Sequence, residues 1–142
     1  MPTVLPIYEY GPVTFPVVET VRGGQLVEAR AGGIGVAGAA SLLVLGVART
    51  DAMLASASQD LTDALGNSVL NLSPVSPYVA VGRGAFYPVT FVAAAAFGDK
   101  LIAAAAGKVT PAGATPDART IVGYCAAVGG VALGAVGMAF IY

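Results

Sequence analysis

Residues 98–114 read GDKLIAAAAGKVTPAGA, and residues 23–39 read GGQLVEARAGGIGVAGA. Set one above the other, Leu26-Val27 meets Leu101-Ile102, Ala29 meets Ala104, Gly32 meets Gly107, Ile34 meets Val109, and Ala37-Gly38-Ala39 repeats as Ala112-Gly113-Ala114. Upstream of each stretch stands the same tetrapeptide, Pro12-Val13-Thr14-Phe15 and Pro88-Val89-Thr90-Phe91. Downstream, after a two-residue insertion around Thr115 to Asp117, Val44-Leu45-Gly46 meets Ile121-Val122-Gly123, which sets Cys125 opposite Ala48. A match that survives at this many bulky and turn-forming positions reads as an internal duplication.

The duplication decides the secondary structure. The second copy contains Lys108, Pro111, Pro116, Asp117 and Arg119 where the first has a charge-free run, so neither copy is one long apolar helix. Short strands fit both. Pro88–Val92, Lys100–Ala104, Lys108–Thr110 and Thr120–Ala126 are brief, partly β-branched runs punctuated by Gly, Pro and Asp. Gly98-Asp99 is a turn signal, and Ala106-Gly107 reads as a hairpin tip with the glycine supplying positive φ. Tyr78–Val81 alternates into a further strand, with Ala135–Tyr142 as its counterpart. The expected fold is all-β, a compact barrel or sandwich made of two strand–hairpin units at about 12–48 and 88–126, within one β domain covering 12–142.

Two segments stand outside the repeat. Residues 1–11 carry Pro2 and Pro6 together with Ile7, Tyr8 and Tyr10, and describe an extended arm whose apolar side chains need a surface. Residues 50–77 are an insertion rich in Ser, Asn and Asp. Ser58-Gln59-Asp60 before Leu61, Leu65 and Gly66 reads either as a short capped helix or as a polar loop.

Composition narrows the function. The 142 residues include 28 Ala, 20 Val and 19 Gly, with 11% charged residues against about a quarter in ordinary soluble domains. With no His there is no His-based triad and no imidazole metal site, and a single Cys rules out intrachain disulfides and thiolate zinc clusters. The formal charge of −1 offers no basic surplus for phosphates, which argues against nucleic acid. A mean hydropathy of +0.79 keeps a membrane protein in view. Ala31–Ala48 and Thr120–Tyr142 are long enough to span, but each is interrupted by five glycines and is thin in bulky residues.

No constellation carries chemistry. Gly33-Ile34-Gly35-Val36-Ala37-Gly38 spells G-x-G-x-x-G, yet its lead-in bears Glu28 and Arg30, and the second copy has Lys108, Thr110 and Gly113 at the glycine positions. Asp60 and Asp63 share a face only if their segment is helical, and nothing around them tunes a carboxyl for acid–base work. Cys125, opposite Ala48, reads as a small buried residue. Arg83, between Gly82 and Gly84, is a turn residue that could meet an acidic partner. The expectation is a non-enzyme with no catalytic, cofactor or metal residues.

The pattern G-[GD]-x-L-[VI]-x-A, a later V-G-x-[AC], and P-V-T-F at the head of the second unit resemble the small head decoration proteins of tailed bacteriophages, also called capsid cement proteins. The likeness is clearest across Gly98–Ala126 and looser over Pro12–Tyr142; the long insertion and the proline-bearing arm depart from it. The resemblance implies a virion protein, made in the host cytoplasm, that binds the major capsid protein on the outside of an assembled capsid and braces it, often as a homotrimer. It brings no catalytic residues. Within that frame Ile7, Tyr8, Tyr10 and Arg83 are the candidate interface residues. Two other readings stay open: a small phage membrane protein of holin type, and a dinucleotide-binding protein using Gly33–Gly38.

Overall fold

A computed structural model of the chain describes residues 12–54, 65 and 76–142. The arm at 1–11, with Ile7, Tyr8 and Tyr10, lies outside the described residues, as does most of the insertion, including Asp60 and Asp63. The described chain is almost entirely β, in two five-stranded antiparallel sheets.

The first sheet uses β1 (Val13–Pro16), β2 (Leu26–Arg30), β3 (Gly33–Val36), β4 (Val44–Ala48) and β5 (Tyr78–Gly82). The second uses β6 (Ala85–Thr90), β7 (Lys100–Ala104), β8 (Lys108–Pro111), β9 (Ile121–Cys125) and β10 (Val136–Ile141). Their strand orders, β1-β5-β4-β2-β3 and β6-β10-β9-β7-β8, are the same topology used twice. The correspondence extends to irregularities. The β2–β4 register slips between Val27 and Glu28, and the β7–β9 register slips between Leu101 and Ile102. A parallel bridge joins Val17 to Ile34 in one unit and Phe91 to Val109 in the other, drawing the end of the first strand against the third. Each sheet thereby curls back on itself.

These pairings also fix the register between copies. The amides of Gly24 and Gly98 each donate to the carbonyl of the strand end opposite, Ala48 and Cys125, at 2.8 Å. Cys125 does occupy the place of Ala48, and it is fully buried. The tetrapeptide match, 76 residues apart, is out of step. Pro16 pairs with Tyr78 as Thr90 pairs with Val136, so β1 and β6 correspond at a spacing of 74. Likewise Val27, paired with Gly46, is the counterpart of Leu101, paired with Gly123. Leu26 therefore corresponds to Lys100 and not to Leu101.

Each unit has its own apolar interior. Val17, Val21, Val27, Ile34, Ala48, Ala52, Val79 and Val81 fill the first. Val89, Phe91, Leu101, Val109, Cys125, Ala139 and Ile141 belong to the second, whose cluster also takes in Leu26, Ala37 and Val47 from the first unit. The two units are thus joined by an apolar contact. Around it, Ala40 N–H donates to Ala103 O at 2.8 Å, Gly107 N–H to Ala37 O at 3.1 Å, and Gln25 Nε2 to Ala106 O at 3.1 Å. The hairpin tip carries Ala106 and Gly107, both at positive φ, and Gly107 sits so tightly that a Cβ there would lie 2.8 Å from Gln25 Cβ and Leu26 O.

Candidate interaction surface

Period-two alternation turns successive side chains of a strand to opposite faces. In β10 this buries Ala139 and Ile141 and turns Val136, Met138 and Phe140 outward, with Tyr142 just beyond. Neighbouring strands add to that outer face. Phe86 on β6 pairs with Phe140, and Tyr124 on β9 pairs with Phe140 from the other side. The rings touch one another. Phe86 meets Phe140 edge-on with centroids 5.1 Å apart, Tyr124 stacks on Phe140 at 5.5 Å, and Tyr142 stands 6.1 Å from Phe140 and 6.3 Å from Tyr124. Such pairs contribute about 0.5–1.5 kcal/mol each beyond their area burial, so the rings hold one another in place. Lys100 on β7 reaches across, its Nζ 3.1 Å from Tyr142 Oη and 5.8 Å from the ring centroid.

Much of this aromatic face is open: Phe86 is 57% exposed and Met138 52%. A contiguous apolar patch on a chain with few charges marks an interaction surface. Arg83, expected as a turn residue, is exposed between β5 and β6 and lines a shallow cleft with Leu42, Arg119 and Tyr142. Arg119 is held by Asp117 at 2.7 Å. That guanidinium keeps the Asp117 carboxyl below the usual carboxylate range, and the carboxylate raises Arg119 in return. Sequence reasoning selected Arg83 but missed the rings beside it. The available signal was the spacing Val136, Met138, Phe140, Tyr142, which puts four large apolar residues on one strand face.

A second polar cluster braces the outer edge of the first unit. Arg30 Nη1 lies 2.9 Å from Glu19 Oε1, its Nε lies 3.2 Å from Glu28 Oε1, and its Nη2 donates to Val36 O at 2.8 Å. Glu19 accepts from Val36 N–H, and Glu28 from Gly38 N–H. The Ser41 hydroxyl above all, with the Gly38 amide and Arg30 adding to it, holds the Glu28 carboxyl below its ordinary value against an opposing effect of burial second only to that of Ser41. These carboxylates occupy the surroundings of the G-x-G-x-x-G run. That run forms β3 and the extended residues after it, with no helix following to receive a pyrophosphate. Among the described residues no group of His, Cys, Asp or Glu could hold a metal ion, and no helix is long and apolar enough to cross a membrane.

No protein-family model matches the chain, and no curated protein matches it. Among solved structures, it is similar to the crystal structure of the head fiber gp8.5 N base in bacteriophage phi29. The TM-score is 0.58 at 18% sequence identity, with 92% of each chain covered. The two share a fold. The likeness runs through both units.

Proposed function

We propose that this chain is a structural virion protein that binds the outer surface of an assembled phage capsid and stabilises it, acting as a homotrimer and without enzymatic activity. The observation that carries the reading is the end-to-end fold likeness to a protein of a phage head, over 92% of both chains. The turn-and-strand resemblance to head decoration proteins supports it from the sequence. So does the surface: 15 charged side chains cannot cover a 142-residue β protein, and the open aromatic face calls for a partner. Self-association covers part of that surface, and the partner on the capsid is the major capsid protein. In this reading residues 1–11 add a strand to the edge of a capsid-protein sheet, where main-chain hydrogen bonds supply affinity and Ile7, Tyr8 and Tyr10 anchor the arm.

The test uses capsids of the encoding phage assembled without this protein. Purified chain is added, and the capsids are sedimented and imaged. Saturable co-sedimentation with new density on the capsid exterior is expected, together with greater resistance of the capsid to heating. Absence of binding at a large excess of chain overturns the reading. Deleting residues 1–11 is expected to lower occupancy, and unchanged occupancy removes the arm from the proposal.

A further inference from the structure

The duplication lets one unit report on the other. Across β2, β4 and β5 the paired residues Leu26, Val47 and Gly82 form a row; across β7, β9 and β10 the corresponding row is Lys100, Tyr124 and Phe140. In the first unit that row is fully covered, with Leu26 at 0% and Val47 at 1% exposure, because the second unit sits on it. In the second unit the same row is the open aromatic face, with Lys100 exposed and Tyr124 and Phe140 half-buried.

The opposite side of the joint shows the same asymmetry in reverse. The second unit docks with its hairpin tip at Ala106–Gly107 and with the carbonyl of Ala103, and Ala103 and Ala104 are 1% and 7% exposed. The corresponding residues of the first unit are Ala31–Gly32, Ala29 and Arg30, and these are exposed. A Cβ on Gly107 would collide with Gln25 and Leu26, whereas one on Gly32 would meet nothing nearer than a Val18 methyl at 3.8 Å. The chain therefore carries one used joint and both halves of a second one, one half on each unit.

From this equivalence we infer that the aromatic face of Lys100, Tyr124 and Phe140 is occupied by the Ala29–Gly32 hairpin face of a second copy of this chain, in a head-to-tail contact that repeats the joint inside the chain. The charges agree with it. The receiving face presents Lys100, and the docking face carries Arg30, which is paired with Glu19 and Glu28 beside it, so that this side holds one more acid than base. Such a contact is heterologous: every added copy buries one docking face and one receiving face and leaves one of each, until a ring closes. The inference deepens the proposed homotrimer by naming its contact and rests on that reading only for self-association. Loss of capsid binding in the sedimentation experiment leaves it standing, and a monomeric chain overturns it without touching capsid attachment.

Light scattering after size exclusion reads the outcome on the full chain. The unmodified protein is expected as a discrete oligomer, and Tyr124→Lys on one face or Ala31→Lys on the other is expected to reduce it to the 14.0 kDa single chain. Lys100→Glu changes an exposed side chain in the receiving face and serves if Tyr124→Lys fails to fold. Val128→Lys, at a residue 89% exposed that belongs to neither row of paired residues nor to the hairpin, is expected to leave the oligomer intact. Mixing the two monomeric variants is decisive, because each retains the face the other has lost. Equimolar mixing is expected to give a 1:1 dimer that grows no further. An unmodified chain that is monomeric, face variants that stay oligomeric, or a mixture that stays monomeric overturns the inference.

Discussion

Replacing Leu26 with alanine tests the joint between the units directly. The side chain is fully buried and belongs to the cluster that links the first unit to the interior of the second. Three carbons are removed, at about 0.8 kcal/mol of transfer free energy each. The side chain packs in a cluster of fully buried residues drawn from both units, so a cavity cost adds to the transfer cost. Leu→Ala changes in well-packed cores total about 2.7–5 kcal/mol, and roughly 3–4 kcal/mol is expected here. That is a large share of the 5–15 kcal/mol that holds a typical domain, and it lowers the melting temperature by roughly 10 °C. Lys100 stands at the corresponding position of the second unit but is exposed, so Lys100→Ala is expected to stay within about 0.5 kcal/mol. Both substitutions are made on the Ala31→Lys background, so that self-association adds nothing to the measured stability. Equilibrium urea titration at fixed protein concentration gives the difference from the shift in midpoint at constant slope. A loss below about 1 kcal/mol for Leu26→Ala, or equal losses at the two positions, refutes the register and the joint together.

Other expectations follow from single sites. Gly46 and Gly123 lie where β4 and β9 pass under the carbonyls of Gly82 and Phe140, and a Cβ at either would overlap that carbonyl oxygen. Alanine at either position is expected to cost about 3 kcal/mol, read as a fall in urea midpoint, and a wild-type melt would exclude the close approach. Glu28 has its carboxyl pKa lowered, so its stabilisation is complete above the ordinary Glu range and is lost as pH falls through the lowered value. Glu28→Gln should therefore flatten the fall of melting temperature between about pH 5 and pH 3; parallel curves for the two proteins would refute this. Cys125 is fully buried, so a thiol reagent should react with it in urea but not in buffer. Rapid labelling of the folded chain would place that strand wrongly.

The duplication was legible because turns constrain residue type. Gly32 and Gly107, and Gly46 and Gly123, matched in the alignment, each sit where a side chain is strained or excluded, so the two copies kept the same punctuation. Strand register was harder to read. The tetrapeptide match is displaced by two residues, and in a structure of period two that shift keeps every side chain on its proper face, so alternation alone cannot reveal it. The slip at Leu26 has another cause. Matching Leu26 to Leu101 rewards apolar with apolar, but Leu26 is apolar because another unit covers it, while its true counterpart Lys100 faces out. The aromatic face was not legible as a site because Phe86, Tyr124 and Phe140 come from three strands that only the order β6-β10-β9 brings together. The turn at Arg83 was within reach of sequence through its glycine neighbours; the cluster of rings needed the sheet.

The strand order also sets a timetable for folding. Each five-stranded set is contiguous in the chain, and the first strand of each pairs with the last, Val13 with Val81 and Ala85 with Ile141. A unit therefore cannot close until its fifth strand has left the ribosome, but the first unit needs nothing beyond Gly82 to complete its pairings. Domains fold as units during synthesis, N-terminal first. For the time taken to make the 59 residues from 83 to 141 that complete the second unit, the newborn first unit holds Leu26, Ala37 and Val47 in water. That interval, a few seconds at about 5–20 residues per second, is when the growing chain is most open to capture by a neighbour, and it ends when the second unit arrives to cover the face.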